Sequence, residues 1–151
     1  MNRVGEFEKV SFEQFYDDIP LPSRATTGSA GYDFKAPFAF ALEPGETIKI
    51  PTGIRVRIES GWWLGCLPRS GLGFKYRLQL NNTMGVIDSD YYYSDNEGHI
   101  FAKVTNDSKE GKAINVNRGD GFIQAIFLPY GTTYSDNADG VRNGGMGSTG
   151  K

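Results

Sequence analysis

Apolar residues alternate with polar residues over residues 48–58. Isoleucine or valine fills positions 48, 50, 54, 56 and 58, whereas Arg55 and Arg57 fall on the opposite face. A period of two is that of a half-buried strand, and the P-T-G break at residues 51–53 predicts a pair of such strands. Residues 61–67 (G-W-W-L-G-C-L) and 122–128 (F-I-Q-A-I-F-L) are apolar on both faces, which predicts buried strands.

Helical signals are rare by comparison. The one helix start lies at residues 11–18, where Ser11 can cap a short helix that Pro20 and Pro22 stop. Twenty glycines and seven prolines supply turns along the chain, and the pattern as a whole predicts an all-β fold. Further short strands are predicted at residues 78–80, 100–104 and 113–116.

The composition changes near the end of the chain. Residues 139–151 (D-G-V-R-N-G-G-M-G-S-T-G-K) contain five glycines, so no strand or helix is expected there. Two interpretations stay open, a disordered tail and a mobile arm that orders over a bound anion. We divide the chain into a β domain, residues 1–138, and a glycine-rich arm, residues 139–151.

Composition and charge exclude several classes of protein. The formal net charge of −2 argues against a nucleic-acid-binding protein, which needs a basic face. No apolar run has the length of a signal peptide or a membrane span. Because Cys66 is the single cysteine, no internal disulfide is possible, and we expect a reducing, cytoplasmic compartment.

The candidate chemistry centres on residues 85–91 (G-V-I-D-S-D-Y). If this segment is extended, Asp88 and Asp90 lie on one face, where two carboxylates either share a proton or meet a cation. An acidic turn at the end of a strand is the alternative. The single histidine, His99, has no nucleophile or metal cluster beside it in the sequence and is expected at the surface.

Two further segments suggest an anion-binding site. Residues 68–73 (P-R-S-G-L-G) follow a buried strand, and such a turn can direct backbone N–H groups, a hydroxyl and a guanidinium at phosphate oxygens. Gln124 is a lone amide in an apolar strand, so it either makes a hydrogen bond in the core or contacts a ligand. Asp33, which lies between two aromatic residues, is either a functional acid or an exposed one.

Five segments in order resemble the motifs of the trimeric deoxyuridine triphosphate nucleotidohydrolases (dUTPases). The resemblance extends from residue 28 to residue 150 and so covers most of the chain. The five segments are residues 28–34 (G-S-A-G-Y-D-F), 68–72 (P-R-S-G-L), 85–91 (G-V-I-D-S-D-Y), 119–124 (G-D-G-F-I-Q) and 142–150 (R-N-G-G-M-G-S-T-G).

The resemblance implies an architecture and an activity. The fold would be a jelly-roll-like β-sandwich or barrel that forms a homotrimer, with the arm of one chain closing over an active site formed by the others. The reaction would be hydrolysis of dUTP to dUMP and pyrophosphate, with Mg2+ as cofactor. The enzyme would be cytoplasmic and encoded by a cell or a virus.

The resemblance also assigns residues to the nucleoside and to the attacking water. Asp88 matches the carboxylate that deprotonates the water. Tyr91 matches the aromatic residue that lies against the deoxyribose and excludes a 2′-hydroxyl. Asn82 and the backbone of Val86 and Ile87 match the turn that reads the uracil edge.

Other residues are assigned to the phosphates and the metal. Arg69, Ser70 and Gly71 match the phosphate-binding loop, and Gln124 matches a further phosphate contact. Asp33 matches an acid that reaches Mg2+ through water, since the metal would be carried mainly by the phosphates of the substrate.

The arm of the family grips the triphosphate. Arg142, Gly147, Ser148 and Thr149 match that arm. Met146 stands where the family usually has a phenylalanine stacked on uracil. A methionine is apolar and adaptable and can still cover the base, but ordering its flexible side chain predicts weaker closure.

Two more positions depart from the family pattern. Gly121 stands where the fourth motif often has a basic residue, so one phosphate contact is missing or comes from elsewhere. Residues 92–99 form a longer loop after the third motif. The loop leaves open which of Tyr91, Tyr92 and Tyr93 contacts the sugar, and it is a candidate surface for a regulatory protein partner.

Three alternatives stand beside the dUTPase hypothesis. A dCTP deaminase of the same superfamily carries a glutamate in the strand after the third motif, where this chain has Lys103, so deamination ranks low. A nucleotide-sensing regulatory protein on the same fold is the main alternative. A non-catalytic β-sandwich binding module fits poorly with five motifs in order.

Overall fold

Most of the regular secondary structure is β-strand, as the hydrophobic pattern predicts. A computed structural model describes residues 1–11 and 18–145, and residues 12–17 of the predicted N-terminal helix lie outside them. None of the helices in that part of the chain has the length and apolarity needed to cross a bilayer. Within it the strands are β1 (Gly5–Lys9), β2 (Ser23–Arg24), β3 (Tyr32–Lys35), β4 (Phe40–Leu42), β5 (Thr47–Pro51), β6 (Ile54–Ile58), β7 (Trp62–Pro68), β8 (Leu78–Leu80), β9 (Gly85–Ile87), β10 (Phe101–Asn106), β11 (Ile114–Val116) and β12 (Gly121–Pro129).

The largest sheet has the strand order β2-β3-β12-β7-β9. Strand β12 pairs antiparallel with β3 on one edge and with β7 on the other. Because both neighbours and both faces are covered, its side chains are apolar on either face, and Phe122, Ile123 and Ala125 are fully buried. A bulge between Gly121 and Ile123 shifts the register with β3, which bends β12 at the end that carries the fourth motif.

The other strands form a three-stranded sheet, β5-β10-β8, and two ribbons, β1-β6 and β11-β4. The predicted strands β5 and β6 both exist, but they do not pair with each other: β5 joins β10, and β6 joins β1. Gly53, with a φ of 78°, turns the chain from one sheet into the other. The apolar face nevertheless continues through the turn, since Ile50, Ile54 and Val56 are all buried.

An aromatic cluster fixes the N-terminal strand to the largest sheet. The Phe7 ring on β1 lies 5.2 Å from Tyr32, 5.7 Å from Phe34 and 5.6 Å from Phe127 between ring centroids. Tilted and edge-to-face pairs at this spacing add stability beyond the area that they bury. The cluster therefore packs the β1-β6 ribbon against β3 and β12.

Two expectations about polar segments are wrong. Residues 68–73 are not only a turn, because an α-helix, α1 (Ser70–Tyr76), begins directly after Arg69. Its two internal glycines disfavour a helix, but the Gly73 N–H donates to the Arg69 carbonyl at 2.9 Å and Arg77 adopts the left-handed conformation that ends it. His99 is not at the surface. It is 2 % exposed, and its Nε2 accepts a hydrogen bond from the Gly53 N–H at 2.9 Å.

Asn106 at the end of β10 joins three segments of the chain. Its buried Nδ2 donates to the Leu42 carbonyl at 2.8 Å and to the Lys112 carbonyl at 2.9 Å, and its Oδ1 accepts from the Ser108 N–H at 2.9 Å. A buried amide with three good partners stabilises the fold, and removing it leaves those partners without hydrogen bonds.

We expect Asn106→Ala to lower the free energy of unfolding by about 2–4 kcal/mol, because two carbonyls and an N–H lose their partner in a buried place. Urea denaturation measures the change. Asn115→Ala is the matched control, since Asn115 is exposed on β11 and the change there should stay within about 0.5 kcal/mol. Equal losses for the two variants would contradict the role given to Asn106.

Candidate functional site

A cavity of about 620 Å³ opens beside β9. Its volume suits a nucleoside-sized ligand. Of the candidate residues from the sequence, those that line it are Asn82, Val86, Ile87, Asp88, Tyr91 and Arg142.

A tight turn between β8 and β9 forms one wall of the cavity. The Thr83 N–H donates to the Leu80 carbonyl at 2.9 Å, and Thr83 itself has a φ of 68°. Strand β9 then runs very close to β7. A Cβ added at Gly85 would stand only 3.1 Å from Cys66 Cβ. This close approach holds Asn82 and the exposed residue Val86 at the edge of the cavity.

The acidic pair is brought together by a turn rather than by an extended strand. The chain leaves β9 after Ile87, and Ser89–Tyr93 forms a 3-10 helix. Asp88 Oδ2 and Asp90 Oδ1 each lie 2.7 Å from a nitrogen of the Arg142 guanidinium. The cation that binds both Asp88 and Asp90 is therefore Arg142, an arginine of the arm.

The three consecutive tyrosines take three different positions. Tyr91 is 3 % exposed, lines the cavity and donates its hydroxyl to the His99 carbonyl, while Asn96 Nδ2 donates to the Tyr91 hydroxyl at 3.0 Å. Burial raises the pKa of Tyr91, which keeps the hydroxyl protonated as a donor. Tyr92 donates instead to Glu8 at 2.8 Å, and Tyr93 is 73 % exposed. Only Tyr91 of the three lines the cavity.

A second group of candidate residues lies outside the lining of the cavity. Asp33 on β3 and Gln124 on β12 are directly opposite in register, and Arg69 Nε lies 4.0 Å from Asp33 Oδ1. Gln124 Nε2 donates to the Pro68 carbonyl at 3.1 Å. In this chain the lone amide therefore makes an internal hydrogen bond that fixes the start of the P-R-S-G segment.

Gly121 belongs to the same group for a steric reason. A Cβ added there would stand 3.1 Å from both Cδ and Nε of Arg69, so the Arg69 side chain packs over the glycine. The guanidinium of Arg69, which belongs to the second motif, therefore stands where the fourth motif often has its own basic residue. Ser70 and Gly71, also from that motif, are exposed at the start of α1.

Cations that the sequence analysis did not assign also lie near the candidate residues. Lys49 and Lys103 line the cavity from facing positions on β5 and β10. Arg55 donates from Nε to the Glu97 carbonyl at 2.6 Å and from Nη2 to the Tyr92 carbonyl at 3.0 Å. The alternating pattern placed Arg55 on a polar face, but no local signal indicated that it holds the loop after the third motif.

The carboxylates of the described residues do not form a metal-binding cluster. Among residues 1–11 and 18–145, no group of three or more His, Cys, Asp or Glu side chains is placed to hold a metal ion. Cys66, in the cavity wall, is buried, and burial raises the pKa of its thiol to about 12. It is therefore a protonated, apolar wall residue and not a nucleophile.

Comparison with known proteins identifies the family. The family model described as dUTPase matches residues 17–150. The chain belongs to the dUTPase family. The match spans all five motifs, so the order of motifs found in the sequence is that of one dUTPase domain.

Curated relatives and a solved dUTPase agree with this membership. The deoxyuridine 5'-triphosphate nucleotidohydrolase of Hahella chejuensis is 39% identical over 150 residues, 94% of each chain. That of Lactococcus lactis is 38% identical over 135 residues, covering 87% of this chain and 89% of the relative. The crystal structure of dUTPase from Streptococcus mutans is 32% identical, with a TM-score of 0.69 over 84% of this chain and 97% of that one. The predicted jelly-roll-like β fold of the dUTPase type is thereby confirmed.

The dUTPase motifs thus divide into two groups within one chain. The third motif and Arg142 border the cavity, whereas Asp33, Arg69 and Gln124 of the first, second and fourth motifs form the neighbouring group. Met146, Gly147, Ser148 and Thr149 of the fifth motif lie outside the described residues.

We expect Gly31→Ala in the first motif to lower the free energy of unfolding by about 1 kcal/mol. An added Cβ would stand 2.2 Å from Gln124 Oε1, so the amide must move and lose its hydrogen bond to Pro68. Urea denaturation measures the loss. Gly28→Ala is the control, because no atom lies within 4 Å of an added Cβ there. In a Gln124→Ala background the cost of Gly31→Ala should disappear, and its persistence would disprove the steric explanation.

Proposed function

We propose that this protein hydrolyses dUTP to dUMP and pyrophosphate. The observation that carries the proposal is the position of Asp88, which directly follows the strand that borders a nucleoside-sized cavity and lines that cavity together with Asn82 and Tyr91. A carboxylate, an amide and a fixed aromatic ring around one cavity suit a base, a sugar and a water molecule. Membership of the dUTPase family and the names of its relatives support the same reaction.

Asp88 acts as general base. It accepts a proton from a water molecule whose oxygen attacks the α-phosphorus of dUTP. A new P–O bond forms, the bond from the α-phosphorus to the bridging oxygen breaks, and pyrophosphate leaves with the electron pair. General-base catalysis of this kind contributes about 10²–10⁴-fold to the rate, and most of the remainder comes from positioning and from neutralising charge.

Tyr91 and the turn around Asn82 set the specificity. The Tyr91 ring is held by two hydrogen bonds of its hydroxyl, so it cannot withdraw to admit a 2′-hydroxyl. Asn82 and the backbone of Val86 and Ile87 read the polar edge of uracil. A base with the wrong pattern of donors leaves these groups without partners, which is costly in a desolvated site.

Arg69, Ser70, Gly71 and Gln124 bind the phosphates, and Mg2+ would be held mainly by those phosphates. Hard oxygen donors fit Mg2+, which keeps several waters and needs few protein ligands. Asp33 lies beside the Arg69 guanidinium, which partly neutralises its charge. A carboxylate in this position suits a contact with Mg2+ through a water molecule. When bound, Mg2+ neutralises phosphate charge.

The complete site is shared between chains of a homotrimer. Two observations support the shared site. Within one chain the motifs separate into a group that lines the cavity and a group around Asp33, Arg69 and Gln124, and the resemblance to the family implies a trimer. In this arrangement Asp88 and Tyr91 come from one subunit, Arg69 and Gln124 from a second, and the arm, residues 139–151, closes over a neighbouring site with Met146, Gly147, Ser148 and Thr149. The cytoplasmic location and a regulatory protein partner stay predictions.

Incubation of the purified chain with dUTP, dTTP, dCTP and UTP in the presence of Mg2+ tests the function. We expect pyrophosphate from dUTP alone. Ammonia from dCTP would instead indicate a deaminase, although Lys103 in the cavity lacks the carboxylate that this reaction needs. Tight binding of dUTP without turnover would favour the regulatory binding protein.

Mixed oligomers test the shared site. We expect Asp88→Asn alone to lose about 10²–10⁴-fold in kcat while still binding dUTP. We expect Arg69→Ala alone to lose activity because a contact with the phosphates is removed. When the two variants are unfolded, mixed and refolded together, sites that take Asp88 from one chain and Arg69 from another recover, to about a quarter of wild-type turnover for random mixing. Each variant refolded with itself is the control. No recovery in verified mixed trimers would place both residues of a site on one chain.

A further inference from the structure

The arm makes a set of matched contacts with the third motif and with the loop that follows it. Arg142 contacts Asp88 and Asp90, as described above. Asn143 Nδ2 donates to Asp95 Oδ2 at 2.9 Å, and its Oδ1 accepts from the Asp95 N–H at 3.0 Å. The Gly144 N–H donates to Ser94 Oγ at 3.0 Å. Three consecutive arm residues therefore each have a partner in one segment, which we call the docking surface (Asp88, Asp90, Ser94 and Asp95).

The docking surface is held in place from behind. Arg55 donates to the carbonyls of Tyr92 and Glu97, and its guanidinium carbon lies 3.7 Å from the centroid of the Tyr92 ring. Glu97 in turn accepts from the Ser11 hydroxyl at 3.0 Å. Both ends of the loop are therefore fixed by neighbouring parts of the fold as well as by the arm.

The docked arm occupies the groups that catalysis requires. The side chain of Arg142 is only 19% exposed and engages Asp88, the proposed base. Gly145 lies so close to Tyr91 that an added Cβ would stand 2.4 Å from the ring carbon Cε1. An arginine that forms a fork between two carboxylates cannot at the same time face a triphosphate.

We propose that the docking surface holds the arm of its own chain before substrate binds, and that Asp88 is released when Arg142 exchanges the two carboxylates for the triphosphate in the neighbouring site over which the arm closes. The role of the triphosphate rests on the proposed function, whereas the docking itself does not. The longer loop after the third motif thus serves the arm of the same polypeptide. Substrate binding must include the opening of this contact, which raises KM by the reciprocal of the fraction of arms that are undocked.

Limited trypsin digestion of the full-length, substrate-free protein tests the docking. Arg142 is the single Lys or Arg between Arg118 and Lys151, so mass spectrometry detects cleavage after it without overlap. We expect Asp90→Asn and Asp95→Ala to increase the rate of this cleavage about two- to fivefold, as expected for the loss of a partly exposed contact. Asp139→Asn is the matched control, because it removes an acid from the arm outside the docking surface, and cleavage after Lys109 provides an internal reference. Equal cleavage after Arg142 in all four proteins would overturn the docking.

Steady-state kinetics with dUTP test the release. We expect Asp95→Ala to lower KM about two- to fivefold and leave kcat unchanged, because fewer arms must be undocked. A rise in KM together with a fall in kcat would show that docking supports the closed catalytic state, and would overturn the blocking role. A wild-type protein without dUTP turnover would refute the proposed function, while the trypsin result would still decide whether the arm docks.

Discussion

The pairing of β12 with two partners at once is the constraint on which the site depends. Its register with β3 sets Gln124 opposite Asp33, and its register with β7 sets Ile123 opposite Pro68. The far edge of β7 holds β9, from which Asp88 emerges. A slip of one residue in β12 would turn Gln124 to the other face and bring Ile123 to the phosphate side. The apolar residues that bury β12 therefore also fix the relative positions of the first, second and fourth motifs.

The sequence predicted those features that follow from local pattern or from motif order. The alternation over residues 48–58 predicted β5 and β6, and the five motifs indicated the family and the residues around the cavity. The predictions that failed concern features that depend on distant parts of the chain. Whether β5 pairs with β6 is decided by β1 and β10, and α1 forms around glycines because the fold fixes both of its ends.

The tyrosines and His99 show the same limit in the site itself. The three consecutive tyrosines cannot be told apart by residue type. Their positions differ because Tyr91 hydrogen-bonds to His99 and Asn96, whereas Tyr92 hydrogen-bonds to Glu8 and stacks with Arg55. His99 is buried because the turn at Gly53 offers an N–H to its ring, and burial then holds the pKa of the imidazole below its ordinary value. Glu8 lies 84 residues from Tyr92, and Gly53 lies 46 residues from His99, which is beyond the reach of local pattern.

Asn106 has a consequence for how the domain opens. Its side chain joins β10 to the carbonyl of Leu42 on β4 and to the segment that leads into β11, so the β4-β11 ribbon cannot separate from the three-stranded β5-β10-β8 sheet without breaking both bonds. Two small elements that would each be marginal alone are thereby coupled into one cooperative unit. Amide hydrogens of the ribbon should exchange with solvent at the rate of the sheet beside it, as a single foldon.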